Sequence, residues 1–347
     1  MAKRSYTRNT NKMTKIQPAV QTIALTMSVP AGATTSAYAD LSQIASIVNR
    51  RFYRQGINWA VAGMKVFNVN GVSGGITCFK LPNTWVMSNA WEKGMRAWSK
   101  MNREALSETP SVRPKFLDFK IYADFAHAQA GIENNLLPVN TTVAASRGEW
   151  EASKFVIPNS ANPGFSTERE VIAVGANYQG NGLSGLNSVS LIEGYAASRG
   201  LPDILDPNAP DDAAEVDGAT PANFLQALFN EGTNQDEQVI EDMISENNTA
   251  PYPFENGPDQ LNPLTPFGDT MYPNGANQLA GLQIHDIEYF TPTTISNTVR
   301  LKGGSFPCGL IRFDGRNSGI ETATISILID LVPGMHRGYM CQPMTEM

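Results

Sequence analysis

The chain has 347 residues, 41% of them hydrophobic and 17% charged, with a net charge of −7. That composition supplies a sizeable core and excludes global disorder, and the length suits two domains or one large β domain with insertions. Three cysteines far apart in sequence, Cys78, Cys308 and Cys341, exclude a disulfide framework and a zinc site of the Cys-x-x-Cys kind.

Residues 1–15 hold five basic residues, Lys3, Arg4, Arg8, Lys12 and Lys15, and no acid. This polar, basic stretch has no apolar region of a secretory signal and reads as a disordered arm. "AVQTIALTMSV" (19–29) is rich in β-branched residues and reads as a strand. In 38–52, Leu41, Ile44, Ile47 and Val48 recur at helical spacing and predict a short amphipathic helix, with Arg50, Arg51 and Arg54 at its end. Strands are predicted over 57–69 and 73–81, and Asn70-Gly71 between them is a hairpin signal.

The stretch 88–106 predicts a helix with Trp91, Met95, Trp98, Met101 and Ala105 on one face. Asn89 is positioned to cap it, with Glu92 three residues later. Two tryptophans on one stripe could stack nucleotide bases, but their helical spacing favours core packing. "KFLDFKIYADF" (115–125) alternates cleanly and predicts a strand. Further strands are expected near 150–157, 167–175, 281–290, 306–313 and 321–332, with a bulge around His285 and Asp286 where the apolar phase slips. The last of these contains the longest apolar run, Ile325 to Val332, too short to span a bilayer.

Between 185 and 280 the character changes. Helices are predicted near 185–199, 221–230 and 235–246, and residues 250–281 contain six prolines and four glycines. Residues 201–260 carry fourteen Asp and Glu and no Lys or Arg. The expectation is a large surface insertion; the basic end and the acidic segment read first as solvated surface, and alternatively as two faces with different partners.

Gly180-x-Gly182-x-x-Gly185 matches the letters of a dinucleotide-binding turn, yet four residues separate Gly175 from Gly180, and no strand-like run follows near Asp203 or Asp206. The glycines are better read as a loop before a helix ending at Arg199-Gly200. His127, His285 and His336 have no second ligand at metal spacing, and Asp211, Asp212, Glu215 and Asp217 lack the spacing of a calcium loop. No catalytic residue, cofactor or metal is expected.

The phrases "LSQIASIVNRRFYRQGINWAVAGMKV", "KLPNTWVMSNAWEKGMRAW" and "VRPKFLDFKIYADF" resemble capsid proteins of small circular single-stranded DNA viruses that encode a replication-initiator protein. The resemblance covers about 41–125 and is weak in the acidic middle. It implies an all-β fold, a single eight-stranded jelly roll with helical and long-loop insertions over residues 16–347. It also implies self-assembly into an icosahedral shell and packaging of single-stranded DNA by the basic arm. Many members carry long arginine-rich arms, whereas this arm is short and moderately basic. The candidate nucleic-acid-binding residues are Lys3, Arg4, Arg8, Lys12, Lys15, Arg50, Arg51 and Arg54. The implied location is the virion, with the host nucleus during assembly; the implied partners are further copies of the chain, the DNA and an unknown receptor, without a membrane. The rival readings are a Rossmann-type dinucleotide-dependent oxidoreductase and a monomeric, lectin-like jelly-roll binding module.

Overall fold

The computed structural model describes residues 18–108, 118–140, 143–158, 165–177, 180–198, 225–230 and 281–347. In chain order the elements are β1 (Thr22–Val29), β2 (Thr34–Asp40), α1 (Leu41–Asn49), β3 (Ile57–Asn68), β4 (Gly74–Lys80), α2 (Trp85–Glu108) and α3 (Phe125–Ala130). Next come β5 (Val139–Asn140), β6 (Val143–Ala144), β7 (Lys154–Pro158), β8 (Ser166–Ile172), β9 (Ser188–Ser190), α4 (Leu191–Ser198) and α5 (Leu225–Asn230). The chain closes with β10 (Gln283–Phe290), β11 (Thr298–Phe306), β12 (Leu310–Asn317), β13 (Ala323–Leu331), β14 (Pro333–Gly334), β15 (Gly338–Tyr339) and β16 (Cys341–Pro343). No helix among the described residues is long and apolar enough to cross a membrane.

Two antiparallel sheets form a sandwich. One has the order β1-β13-β3-β11, with β16 paired to the start of β3; the other has the order β10-β4-β12-β2. The alternation in β13 shows why they pack. Ala323, Ile325, Ile327, Ile329 and Leu331 point inward and are at most 2% exposed. Ile23, Leu25, Met27 and Val29 of β1 are buried as well, as are Val61, Met64 and Val66 of β3. From the second sheet, Ile76, Cys78, Phe290, Ile311 and Phe313 meet them in one cluster. Each such aliphatic side chain contributes roughly 1.5–3 kcal/mol on burial. Cys78, Cys308 and Cys341 are all unpaired.

Several predicted elements shift. The Asn70-Gly71 turn exists, with Gly71 at φ +67°, but it is not a hairpin. β3 is flanked by β13 and β11, so β4 is carried over to the other sheet. The predicted strand 306–313 is two strands, β11 and β12, around a corner at Pro307–Gly309, where Cys308 has φ 55°. β2 was not anticipated, and the helix expected from 38 begins only at Leu41, capped by Asp40. The bulge near His285 is present, as a register shift between Ile284 and Asp286. The helix predicted from 88 starts at Trp85. Thr84 Oγ1 accepts from Met87 N at 3.4 Å, and Asn89 lies inside the helix, reaching the Tyr195 hydroxyl.

The largest departure is at 118–125; residues 115–117 of the predicted strand lie outside the described residues. Residues 118–124 join no ladder beyond an isolated parallel bridge from Tyr122 to Ile172, and Phe125 opens α3. The physical reason is Gln55, whose side chain stands in for a neighbouring strand. Its Oε1 accepts from Ile121 N at 2.7 Å, and its Nε2 donates to Ile121 O at 3.1 Å. Ser153 does the same for Lys120.

The described residues between β4 and β10 build most of a second core, which Tyr38, Cys308, Leu310 and Met344 complete. Trp91 and Trp98 of α2 pack there with Phe119, Phe155, Val171, Leu191 and Phe229, and both tryptophans are core as their spacing predicts. β7, β8 and β9 form a small sheet, and α4 and α5 pack against α2. Within the 185–280 segment, the described residues Leu191, Ile192, Tyr195 and Leu225 are buried. The helix expected at 235–246, the acidic residues at 201–217 and the Pro/Gly-rich stretch 250–280 lie outside the described residues.

Candidate nucleic-acid interface

Lys3, Arg4, Arg8, Lys12 and Lys15 lie outside the described residues. Arg50, Arg51 and Arg54 sit where α1 ends. Arg50 adopts the left-handed conformation at the helix C-cap, where a cation is favoured by the helix dipole. Arg51 Nη1 donates to the Pro18 carbonyl at 3.0 Å. Val20 N donates to Asn49 Oδ1, and Tyr339 Oη donates to the Val20 carbonyl at 2.6 Å. The segment that follows the arm is thereby fastened beside the arginines.

Two more cations join the group, and neither was a sequence candidate. Arg337 hydrogen-bonds the Phe52 carbonyl through Nη1, and the Tyr53 hydroxyl donates back to the Arg337 carbonyl at 2.9 Å. Burial pushes the Tyr53 hydroxyl up, and the charges of Arg51 and Arg337 both oppose that shift. Lys120 lies over the Trp150 ring at 4.3 Å and near the Phe52 ring at 5.8 Å, and Arg54 lies 5.9 Å from that same Phe52 ring. Burial lowers the Lys120 pKa, offset first by Asp118. Arg337 is 283 positions from Arg54, and Lys120 looked like the polar side of a strand, so no local signal marked either.

The patch rests on rigid supports. Asp40 is fully buried and accepts from Ser42, Gln43, Gln55 Nε2 at 3.1 Å and Trp150 Nε1 at 3.0 Å. Burial raises its pKa, and the hydrogen bonds from Ser42, Gln55 and Gln43 oppose the shift. Asp118 lies 3.8 Å from Arg54. Burial pushes it up to about 6, partly offset by the Gln55 N–H and by the charges of Lys120 and Arg54. Cations interleaved with a half-buried Phe52 can neutralise phosphates and offer a stacking surface to bases.

The glycine pattern serves a turn. Gly182 N donates to Leu186 O at 2.8 Å, and Gly185 N donates to Gly182 O at 2.9 Å. β9 follows and α4 starts only at Leu191, so no helix N-terminus faces the glycines to hold a pyrophosphate. His127 spends both ring nitrogens internally, accepting from Ala123 N at 3.1 Å and meeting Asn135 Oδ1 at 2.8 Å. Among the described residues no group of three or more His, Cys, Asp or Glu is placed to hold a metal ion.

Comparison with protein-family models, with curated proteins and with solved structures finds no match.

Proposed function

We propose that this chain is a structural capsid subunit of a small circular single-stranded DNA virus, without catalytic activity. In this reading the sandwich is a single eight-stranded jelly roll. The observation that carries it is the strand order. Counting only the eight long sandwich strands in chain order, one sheet runs first-eighth-third-sixth and the other fifth-fourth-seventh-second. Two interleaved Greek keys produce that order, and shells, lectins and cupins use it. The cationic group around Arg51, next to the point where the basic arm joins, favours a nucleic-acid partner over a sugar.

Closing a shell needs repeated contacts between copies. Exposed apolar residues supply material for them: Ile284, Ile287 and Tyr289 along the edge strand β10, and Ile295 and Ile320, which are 88% and 95% exposed. An edge strand with such side chains is a liability on a monomer. Electron microscopy of the purified protein near neutral pH should show closed particles. Protein that remains monomeric at high concentration, with or without DNA, overturns the reading; saturable sugar binding by that monomer would support the lectin-like module instead.

A further inference from the structure

Beside the cationic group lies a cavity of about 500 Å³, within the size range of small-molecule sites. Its apolar wall comes from Trp91, Met95 and Trp98 of α2 with Phe119, closed by Ile57 and Met344. Its charged groups are Arg54 and Asp118, and Ser99, His336 and Thr345 add further polar atoms to the lining. Arg54 belongs to both features: its side chain is 59% exposed while that of Asp118 is 4% exposed. The cavity is therefore continuous with the basic patch.

Trp91 carries the unexplained atom. Its side chain is 4% exposed, and its Nε1–H is buried without a hydrogen-bond partner. A donor cut off from water without an acceptor is destabilising until something accepts from it. Its ring also lies against the backbone at Gly56, where a Cβ would come within 2.1 Å of Trp91 Cζ2, so glycine is what lets this wall form.

We propose that this cavity binds one nucleotide of single-stranded DNA, the base against the aromatic wall and the phosphate on Arg54. The idea rests on the capsid reading and adds a second, arm-independent DNA contact. An aromatic wall takes any base through its π face or edge. Each base also carries an acceptor for an N–H and a donor for a carboxylate. The Trp91 Nε1–H and the Asp118 carboxylate supply that pair. Asp118 Oδ2 already accepts from Gln55 N at 3.1 Å, which leaves Oδ1 toward Arg54 and the ligand. Binding is thus tolerant of sequence, as a packaged genome requires.

The test is calorimetric titration of the full chain with dAMP and with deoxyadenosine. The arm can attract the phosphate of the first but has nothing for the second, so nucleoside binding reports on the cavity alone. Both should bind saturably, the nucleotide more tightly. Arg54→Gln should weaken dAMP about tenfold and leave deoxyadenosine unchanged, the scale of one charge-assisted hydrogen bond. Trp91→Phe keeps an aromatic ring but removes the N–H, and should weaken both ligands. Because Arg54 is mostly exposed, its variant tests the idea even if the Trp91 variant does not fold. Absence of deoxyadenosine binding, or dAMP affinity unaltered in Arg54→Gln, overturns the proposal. Closed particles with an empty cavity would defeat the cavity alone; nucleoside binding by a protein that never assembles would defeat the shell and leave the cavity standing.

Discussion

Arg312 Nη1 of β12 lies 3.2 Å from Asp124 Oδ2, at the start of α3, and so ties the sandwich to the long β4–β10 connection. The other oxygen of Asp124 accepts from the Tyr38 hydroxyl at 2.9 Å and from His127 N at 2.8 Å. Asp124 is 1% exposed, so removing it leaves the Tyr38 hydroxyl and the His127 N–H without their acceptor, while Arg312 keeps its bidentate pair with Asp314. Asp124→Ala should lower unfolding free energy by about 2–4 kcal/mol, the scale of two buried donors left unsatisfied. Urea unfolding measures this; a loss below about 1 kcal/mol would mean the two cores do not depend on this junction.

Two buried groups drive stability in opposite directions with pH. Burial lowers His127 from 6.5 to about 4, opposed by Asn135 and Asp124. Because its folded pKa is depressed, His127 favours the folded state above 6.5, and that gain disappears as pH falls through 4. Asp118, raised from 3.8 to about 6, favours the folded state below 3.8 and loses that gain as pH rises through 6. Each shift amounts to about 3 kcal/mol. As pH falls from 6.5 to 4, His127→Gln should therefore gain about 3 kcal/mol relative to the wild type. Asp118→Asn should lose about as much relative to the wild type from pH 6 to 3.8. Urea midpoints measured across this range check both signs.

Two alternating stretches show what is legible in the chain. β13 was readable because one of its faces is buried and the other is not, which is the condition for a period of two. Residues 118–124 have the same period, but Phe119, Ile121, Tyr122 and Ala123 are all buried, and the Ile121 backbone is satisfied by the side chain of Gln55, more than sixty positions earlier. Alternation cannot report a side chain that substitutes for a strand. The Asn70-Gly71 turn was likewise readable as a turn, while the partners of β3 are strands over 230 residues away. In the candidate interface, Arg50, Arg51 and Arg54 stand out as a local run; Arg337 and Lys120 reach them only through the fold.

Gly182 is a close-packing position rather than a phosphate loop. A Cβ there would lie 2.8 Å from the Ala128 carbonyl oxygen, and Leu183 N donates to that same oxygen at 3.2 Å. Gly182→Ala should force the turn away from α3 and cost about 1–3 kcal/mol, as overpacking does. Titration with NAD or FAD should give no saturable heat for either protein. Micromolar dinucleotide binding that Gly182→Ala abolishes would restore the oxidoreductase reading.

Deleting residues 2–15 should alter DNA binding without unfolding the sandwich. The join is held downstream of the deletion, by Arg51 on the Pro18 carbonyl and by Asn49 and Tyr339 on Val20, so the urea midpoint should not move. The deleted segment carries five cations. For single strands each neutralised phosphate adds roughly 0.7 to the slope of log affinity against log salt, so the slope should flatten by about 3.5. Arg337→Ala in the full-length chain should flatten it by only about 0.7, the share of one phosphate contact. Fluorescence anisotropy with a labelled single-stranded oligonucleotide, titrated across salt concentrations, reads both changes. If the truncated chain keeps the full slope, the arm makes no phosphate contacts, and the charge of the genome must be met by the patch at Arg51 and Arg337 instead.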